Sequence, residues 1–307
     1  MKQIICIGGA TLDYKLKAID ALELASSNPV VSSQSFGGVA HNVAANLARL
    51  VKSVSLQCIV GDDAEGKNLL SDLQSRHINI DNSLILENQR TARYYAVLNP
   101  EGELHTALVD MQIYNHIPID LFIKNWPVVF KNNIVFVDTN LSAEILAHAI
   151  ELKTTEYLCI DAVSIAKCAK LPQNMHGVFL LKTDRYEAQA LTNLSLTSIT
   201  EGISAAKILL QRGMKNVLIT LGHDGYILAN QHEAKHVKAF PLKNIIDVSG
   251  AGDAFVAGSL AGLQNNMTLE EACQLGAAAA CYTLQSDKTV ADNFSLADLQ
   301  KLLLQTQ

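Results

Sequence analysis

Short apolar runs ending in glycine or aspartate recur along the chain, with amphipathic stretches between them whose apolar residues stand three and four apart. That alternation builds a parallel sheet clothed in helices. Gln3 to Ile7, Val54 to Val60, Ile134 to Asp138, Tyr157 to Asp161, Val178 to Lys182 and Val217 to Leu221 predict buried strands. Helices are predicted after Gly37-Gly38, with Val39, Val43, Leu47 and Leu50 on one face, from Ala143, from Glu187, and from Ile203 to Gln211. Thr91 to Leu98 and Leu104 to Asp110 flank the turn Asn99-Pro-Glu-Gly102 and predict a β-hairpin that interrupts the alternation. Residues 14 to 35 are polar and loosely patterned, and three helical patterns close the chain. With no repeat or linker, the pattern predicts a single α/β domain over 1–307, a doubly wound, mostly parallel sheet with a small β insertion.

The sharpest break is Asp247-Val-Ser-Gly-Ala-Gly-Asp-Ala-Phe255, where glycines pass at once into a helical pattern. Gly250, Ala251 and Gly252 carry little side chain, so their N–H groups can gather at the positive end of the following helix, a place suited to an anion. Asp253 falls in the first turn, where the dipole is expected to keep it ionised near neutral pH and able to take a proton from a hydroxyl. Taken alone, Gly-x-Gly-Asp is also an ordinary helix start after a glycine turn.

Composition narrows the partners. The 307 residues are 49% hydrophobic and 18% charged with a net charge of −6, and no basic run marks a nucleic-acid or anionic membrane surface. The first apolar run is too short for a signal peptide, and no window reaches the roughly 18 apolar residues of a membrane span. A soluble, cytoplasmic protein is expected, its six scattered cysteines reduced and mostly buried.

Three motifs mislead. Gly8-Gly9 does not extend to a dinucleotide fingerprint. Gly61 to Asn68 imitates a P-loop, yet Asp62, Asp63 and Glu65 would repel a triphosphate and Asn68 stands where the metal-binding hydroxyl belongs. His232-Glu-Ala-Lys-His236 matches a zinc-protease pentapeptide, but its strand-like flanks, Tyr226 to Ala229 and Val237 to Phe240, predict a hairpin connection instead of the helix that chemistry needs.

Gly37-Gly38 with Asn42, Asp184-x-x-Glu187, Thr220-Leu-Gly-His-Asp-Gly225 and Gly250-Ala-Gly-Asp253, in this order and spacing, resemble the ribokinase-like (PfkB-type) carbohydrate kinase family over almost the whole chain. Within it, Ser27-Asn28-Pro29, Val109-Asp110-Met111, Asp161-Ala-Val-Ser164 with Lys167-Cys168, and Leu181-Lys182 are most similar to the branch that phosphorylates pseudouridine. The resemblance implies a ribokinase-like sheet with a small β lid formed by segments roughly 14–35 and 91–110, through which relatives often dimerise. It implies ATP as donor, Mg²⁺, and a nucleoside or sugar as acceptor. Asp253 would be the catalytic base for a ribose 5′-hydroxyl, with Gly250, Ala251 and Gly252 as anion hole. Asp13, Gly37, Gly38 and Asn42 would hold the ribose. Lys182, Thr220, Gly222 and Gly225 would meet the nucleotide, and Asp184 and Glu187 the Mg²⁺ through water. Asp247 and Ser249 would border a monovalent-cation loop, with K⁺ as the ion. Asp184 departs from the family, which usually has Asn there. Asp110 is expected to accept the N1–H that pseudouridine has and uridine lacks.

Overall fold

A computed structural model describes residues 2–152, 154–242, 244–292 and 294–305. Among these, the largest sheet orders β14 (Ala234–Val237), β13 (Tyr226–Asn230), β12 (Asn216–Thr220), β11 (Leu180–Asp184), β10 (Tyr157–Asp161), β9 (Ile134–Asp138), β1 (Ile4–Ile7) and β4 (Val54–Gln57). From β12 to β4 the strands are parallel, and β13 and β14 add an antiparallel edge. A second sheet orders β3 (Val30–Gly37), β2 (Thr11–Ala18), β7 (Arg93–Leu98) and β8 (Leu104–Asp110), and β5 (Ile59–Gly61) pairs with β6 (Leu84–Leu86).

The helices in chain order are α1 (Val39–Leu50), α2 (Ala64–Ser75), α3 (Ile119–Ile123), α4 (Trp126–Val129), α5 (Ala143–Leu152), α6 (Ile165–Cys168), α7 (Arg185–Thr192), α8 (Ile199–Leu210), α9 (Ala251–Gln264), α10 (Leu269–Leu284) and α11 (Leu296–Gln305). The central strands are apolar on both faces because both are covered. Ile4, Cys6, Ile134 and Phe136 pack with α1, α9 and α10, while Ile5, Ile7, Val135 and Val137 pack with α5 and α8. All six cysteines are buried and free. Among the described residues no helix is long and apolar enough to cross a membrane.

Three expectations need correction. Residues 14 to 35 hold most of two paired strands: β2, which does alternate, Leu12, Tyr14, Leu16 and Ala18 against Asp13, Lys15 and Lys17, and β3, which is exposed from Val30 to Ser35 and lacks the alternation of a half-buried strand. The run Val54 to Val60 divides at Cys58 between two sheets. The strand expected at Val178 to Lys182 lies two residues later, at Leu180–Asp184, and α7 follows it directly, capped by Asp184.

Candidate active site

The C-terminal ends of the parallel strands converge on the head of α9, the edge at which doubly wound sheets bind ligands. Gly250, with φ 78°, caps this helix; a Cβ there would stand 2.0 Å from Thr289 O, so only glycine fits the turn. Asp253 is half-buried in the first turn, and its Oδ2 accepts from Asn42 Nδ2 at 2.8 Å. Burial, with Asp161 and Asp138 adding repulsion, pushes its carboxyl up to about 7 against the pull of Asn42 and Lys182. The helix dipole alone had suggested a fully ionised group; desolvation wins.

Asn42 is itself held. Its Oδ1 accepts from His41 Nδ1 at 3.1 Å, which leaves its NH₂ directed at Asp253. Burial takes His41 down to about 4, so the ring is neutral with its proton on Nδ1. Gly38 opens α1 at φ 96°, and a Cβ there would meet Gly9 O at 2.5 Å, so the two glycine pairs form one floor. Asp138 fastens that floor: Oδ2 accepts from Gly9 N at 2.8 Å and Ala40 N at 2.9 Å, and Oδ1 from Asn140 N at 2.8 Å. Burial raises its carboxyl while these N–H groups oppose the rise.

Lys182 leaves β11 beneath the head of α9, and a Cβ at Gly252 would lie 3.3 Å from its Nζ. Burial works to lower its pKa, but Asp161, 3.0 Å away, and Glu187 outweigh burial and keep the ammonium charged above the ordinary lysine value. Asp184 and Glu187 form a reciprocal capping box at α7, each carboxylate accepting the other's backbone N–H at 2.7 Å. Burial pushes Glu187 up to about 7 despite Lys182. Among the described residues no three metal-ligating side chains cluster, so a divalent ion here would rely on one or two carboxylates, water and phosphate.

Thr220, Gly222 and Gly225 line a cavity of about 490 Å³ together with Ala251 and Gly252. Its other walls, including Phe240, Pro241, Leu242, Phe255, Ala277 and Leu284, are apolar, a slot suited to a flat ring. The turn at its mouth is tied from two sides, by Arg185 to Leu221 O and Asp224 and by His236 Nε2–H to Asp224 O at 2.6 Å. The pentapeptide that imitated a zinc site therefore lies on a turn and on β14, which begins at Ala234, earlier than expected.

The second sheet reaches the site through β2. Asp13 is half-buried, accepts from Thr11 Oγ1 at 2.7 Å, and is raised by burial against Thr11 and Lys15; Gly37 stands opposite Thr11 on β3. Lys15, on the same face, pairs with Asp247 Oδ2 at 2.9 Å, while Asp247 Oδ1 accepts from Ser249 N at 2.8 Å. Burial would raise Asp247, but Lys15 and Ser249 hold it below the usual value. Asp110 is not brought in. Register pairs it with Arg93, beside Leu12, whereas Asp13 pairs with Tyr94 and Tyr94 with Val109, so Asp110 is exposed on the opposite face. Asp138 and His41 were not singled out from sequence, and Asp161 entered only as part of a family motif; the two aspartates are the polar residues that end buried strands at the ligand-binding edge.

A carboxylate poised to take a proton, a cation and the positive end of a helix beside it, and an apolar slot opening onto the same helix head define a class of enzyme, a kinase with an alcohol as acceptor. Residues 1–294 match the pfkB family carbohydrate kinase model, and the chain belongs to that family. Use of ATP follows from it. The chain is similar to the pseudouridine kinase of Escherichia coli (strain K12), 28% identical over 301 residues that cover 98% of this chain and 96% of that one. A carbohydrate kinase from Agrobacterium tumefaciens, 27% identical, superposes with TM-score 0.82 over 99% of this chain and 97% of its own. The ribokinase of Arabidopsis thaliana complexed with ribose and ATP, 19% identical, shares the fold with TM-score 0.84 over 98% of each chain.

Proposed function

We propose that this kinase phosphorylates the ribose 5′-hydroxyl of pseudouridine, giving the 5′-phosphate and ADP. The observation that carries the chemistry is Asp253, held by Asn42 and raised to about 7 at the head of α9. A base with that pKa is about half ionised at neutral pH and still basic enough to take the hydroxyl proton as the phosphoryl group transfers. In this reading Gly250, Ala251 and Gly252 receive the transferring phosphoryl, and Lys182 neutralises the phosphates. Asp13, Gly37, Gly38 and Asn42 hold the ribose, and Thr220, Gly222 and Gly225 wall the nucleotide. Asp184 and Glu187 each keep one oxygen outside the capping box, enough for a Mg²⁺ bound through water and phosphate. Mg²⁺ would neutralise charge on the donor phosphates. At Asp247 the chain supplies its own cation, Lys15, and a K⁺ ion bound to that carboxylate would have to displace it.

The second sheet serves as lid. Val30, Val31, Leu104, Leu108 and Val109 leave it apolar and exposed, which fits a homodimer formed through it; a monomer at micromolar concentration in sedimentation would remove that part. ATP use and six buried, free thiols fit a cytoplasmic place of action. Pseudouridine as acceptor is supported by the similarity to the Escherichia coli enzyme over nearly both whole chains. A panel of nucleosides and sugars assayed for ADP release tests it: pseudouridine should exceed uridine by on the order of 10² or more in kcat/KM, since a site that hydrogen-bonds N1–H rejects the analogue lacking it. Equal values would refute the assignment.

A further inference from the structure

The connection from β10 to α6 is strained. Val163 has φ 63°, a left-handed backbone that β-branched residues rarely adopt. Around it Ser164 N donates to Ala162 O at 2.7 Å, closing a three-residue turn of the unfavourable hand. Asp161, the partner of Lys182, holds the turn by accepting from Val163 N at 2.8 Å. Strain kept in place this way collects at functional sites.

What the turn delivers is Lys167. Its Nζ donates to Asn140 Oδ1 at 2.5 Å, the side chain is half-buried, and among the described residues no carboxylate lies within the 4.0 Å of an ion pair. Nearby, Lys170 donates to the carbonyl oxygens of Thr139, Asn140 and Leu141. Burial lowers the pKa of both lysines, with Asp138 opposing. Two ammonium groups thus face one distant carboxylate, a local excess that favours an electron-rich ligand.

The order of groups along the floor shows which part of a ligand would meet this charge. Asp253 touches Asn42; Asn42 belongs to the helix opened by Gly38; Gly38 lies against Gly9; and a Cβ at Gly9 would stand 2.4 Å from Asn140 Nδ2. A ribose with its 5′-hydroxyl at Asp253 and its ring over the glycines would send C1′ and the base toward Asn140 and Lys167. An ammonium donates and cannot accept, so where a pyrimidine places a keto oxygen it binds that ring and rejects one that places an amino group there. Resting on the nucleoside-kinase reading, we infer that Lys167 is a specificity-determining residue that binds a keto oxygen of the pyrimidine base.

The test compares the parent with Lys167→Met and Lys167→Arg on pseudouridine, uridine, adenosine and ribose, with melting curves for each variant. Loss of a charged hydrogen bond should lower kcat/KM of K167M by about 10- to 100-fold on the two keto nucleosides. Adenosine and ribose, without a base carbonyl, should change by less than about two-fold, and K167R should recover several-fold on pseudouridine. An equal loss on all four substrates, with or without a lowered melting temperature, makes Lys167 structural and overturns the inference. If the parent prefers pseudouridine to adenosine and ribose and K167M keeps that preference undiminished, the inference alone falls. If the parent prefers ribose to every nucleoside, the nucleoside reading falls and takes the inference with it.

Discussion

Replacing Asp253 by asparagine changes one oxygen to an amide nitrogen and almost nothing in the shape of the site. Asn42 Nδ2 donates to Asp253 Oδ2 at 2.8 Å, and the new amide can turn its own oxygen to that donor, so the link between α1 and α9 survives. The amide nitrogen then faces the acceptor hydroxyl and has no lone pair for its proton. Turnover should fall by on the order of 10² to 10⁴, or about 3–5 kcal/mol of activation free energy, with substrate dissociation constants changed little. The pH dependence adds a second test. A carboxyl at about 7 must ionise before it can act, so kcat/KM for the acceptor should rise tenfold per unit below neutrality and level off above, and the variant should lose this limb. The sign for stability follows from the same shift. The native carboxyl holds its proton more tightly than an ordinary aspartate at 3.8, so stability declines as pH rises between those values and is not regained above them. The amide does not ionise, and Asp253→Asn should melt no lower than the parent at about pH 8. ADP release at saturating ATP, followed from about pH 5.5 to 9, is the assay. Turnover within about two-fold of the parent, or an acidic limb that persists in the variant, would refute the assignment of Asp253 as base.

Lys182→Met leaves Asp161 buried without its 3.0 Å partner and should cost about 3–5 kcal/mol in urea unfolding, part of which Asp161→Asn in the same chain should restore; no recovery would mean that lost packing, not the orphaned charge, sets the cost. Chelating divalent metal should stop turnover, because the donor phosphates need their charge neutralised. Asp184→Asn keeps an N-cap and should leave stability nearly unchanged, whereas Asp184→Ala should cost about 1 kcal/mol. A raised Mg²⁺ requirement in Asp184→Asn would put its carboxylate in contact with the metal, and an unchanged titration would leave Asp184 a helix cap alone.

The buried strands and their helices were legible because most of these strands are apolar on both faces and, from β9 to β12, stop at a polar residue on the ligand-binding edge. Asp138 and Asp161 carry that mark, yet nothing local says that one fastens a glycine floor and the other a lysine. β3 was hidden for the opposite reason, since residues exposed on both faces leave no period to count, whereas β2 does alternate from Leu12 to Ala18 and was passed over among polar neighbours. Asp110 fell on the wrong side by one residue, because side chains on a strand alternate and the sequence names no register. The charge state of Asp253 was misread from its helix position, since the burial that raises it, with Asp161 and Asp138 about a hundred residues away adding repulsion, exists only in the folded chain. His41 was unreadable for the same kind of reason: its role is to orient the Asn42 amide, which only the folded helix reveals.

The bonds of Asp138 also bear on how the chain reaches its working form. Its carboxylate is satisfied by backbone N–H groups 129 and 98 residues away, in Gly9 and Ala40. Segments distant in the chain must therefore meet before that buried group finds its partners, and closing such loops adds an entropic cost that grows slowly with their length. A chain with its helices formed and its strands unpaired would own every residue of the site and no site. Recovery of activity during refolding should consequently follow completion of the long-range topology and lag the return of helical signal.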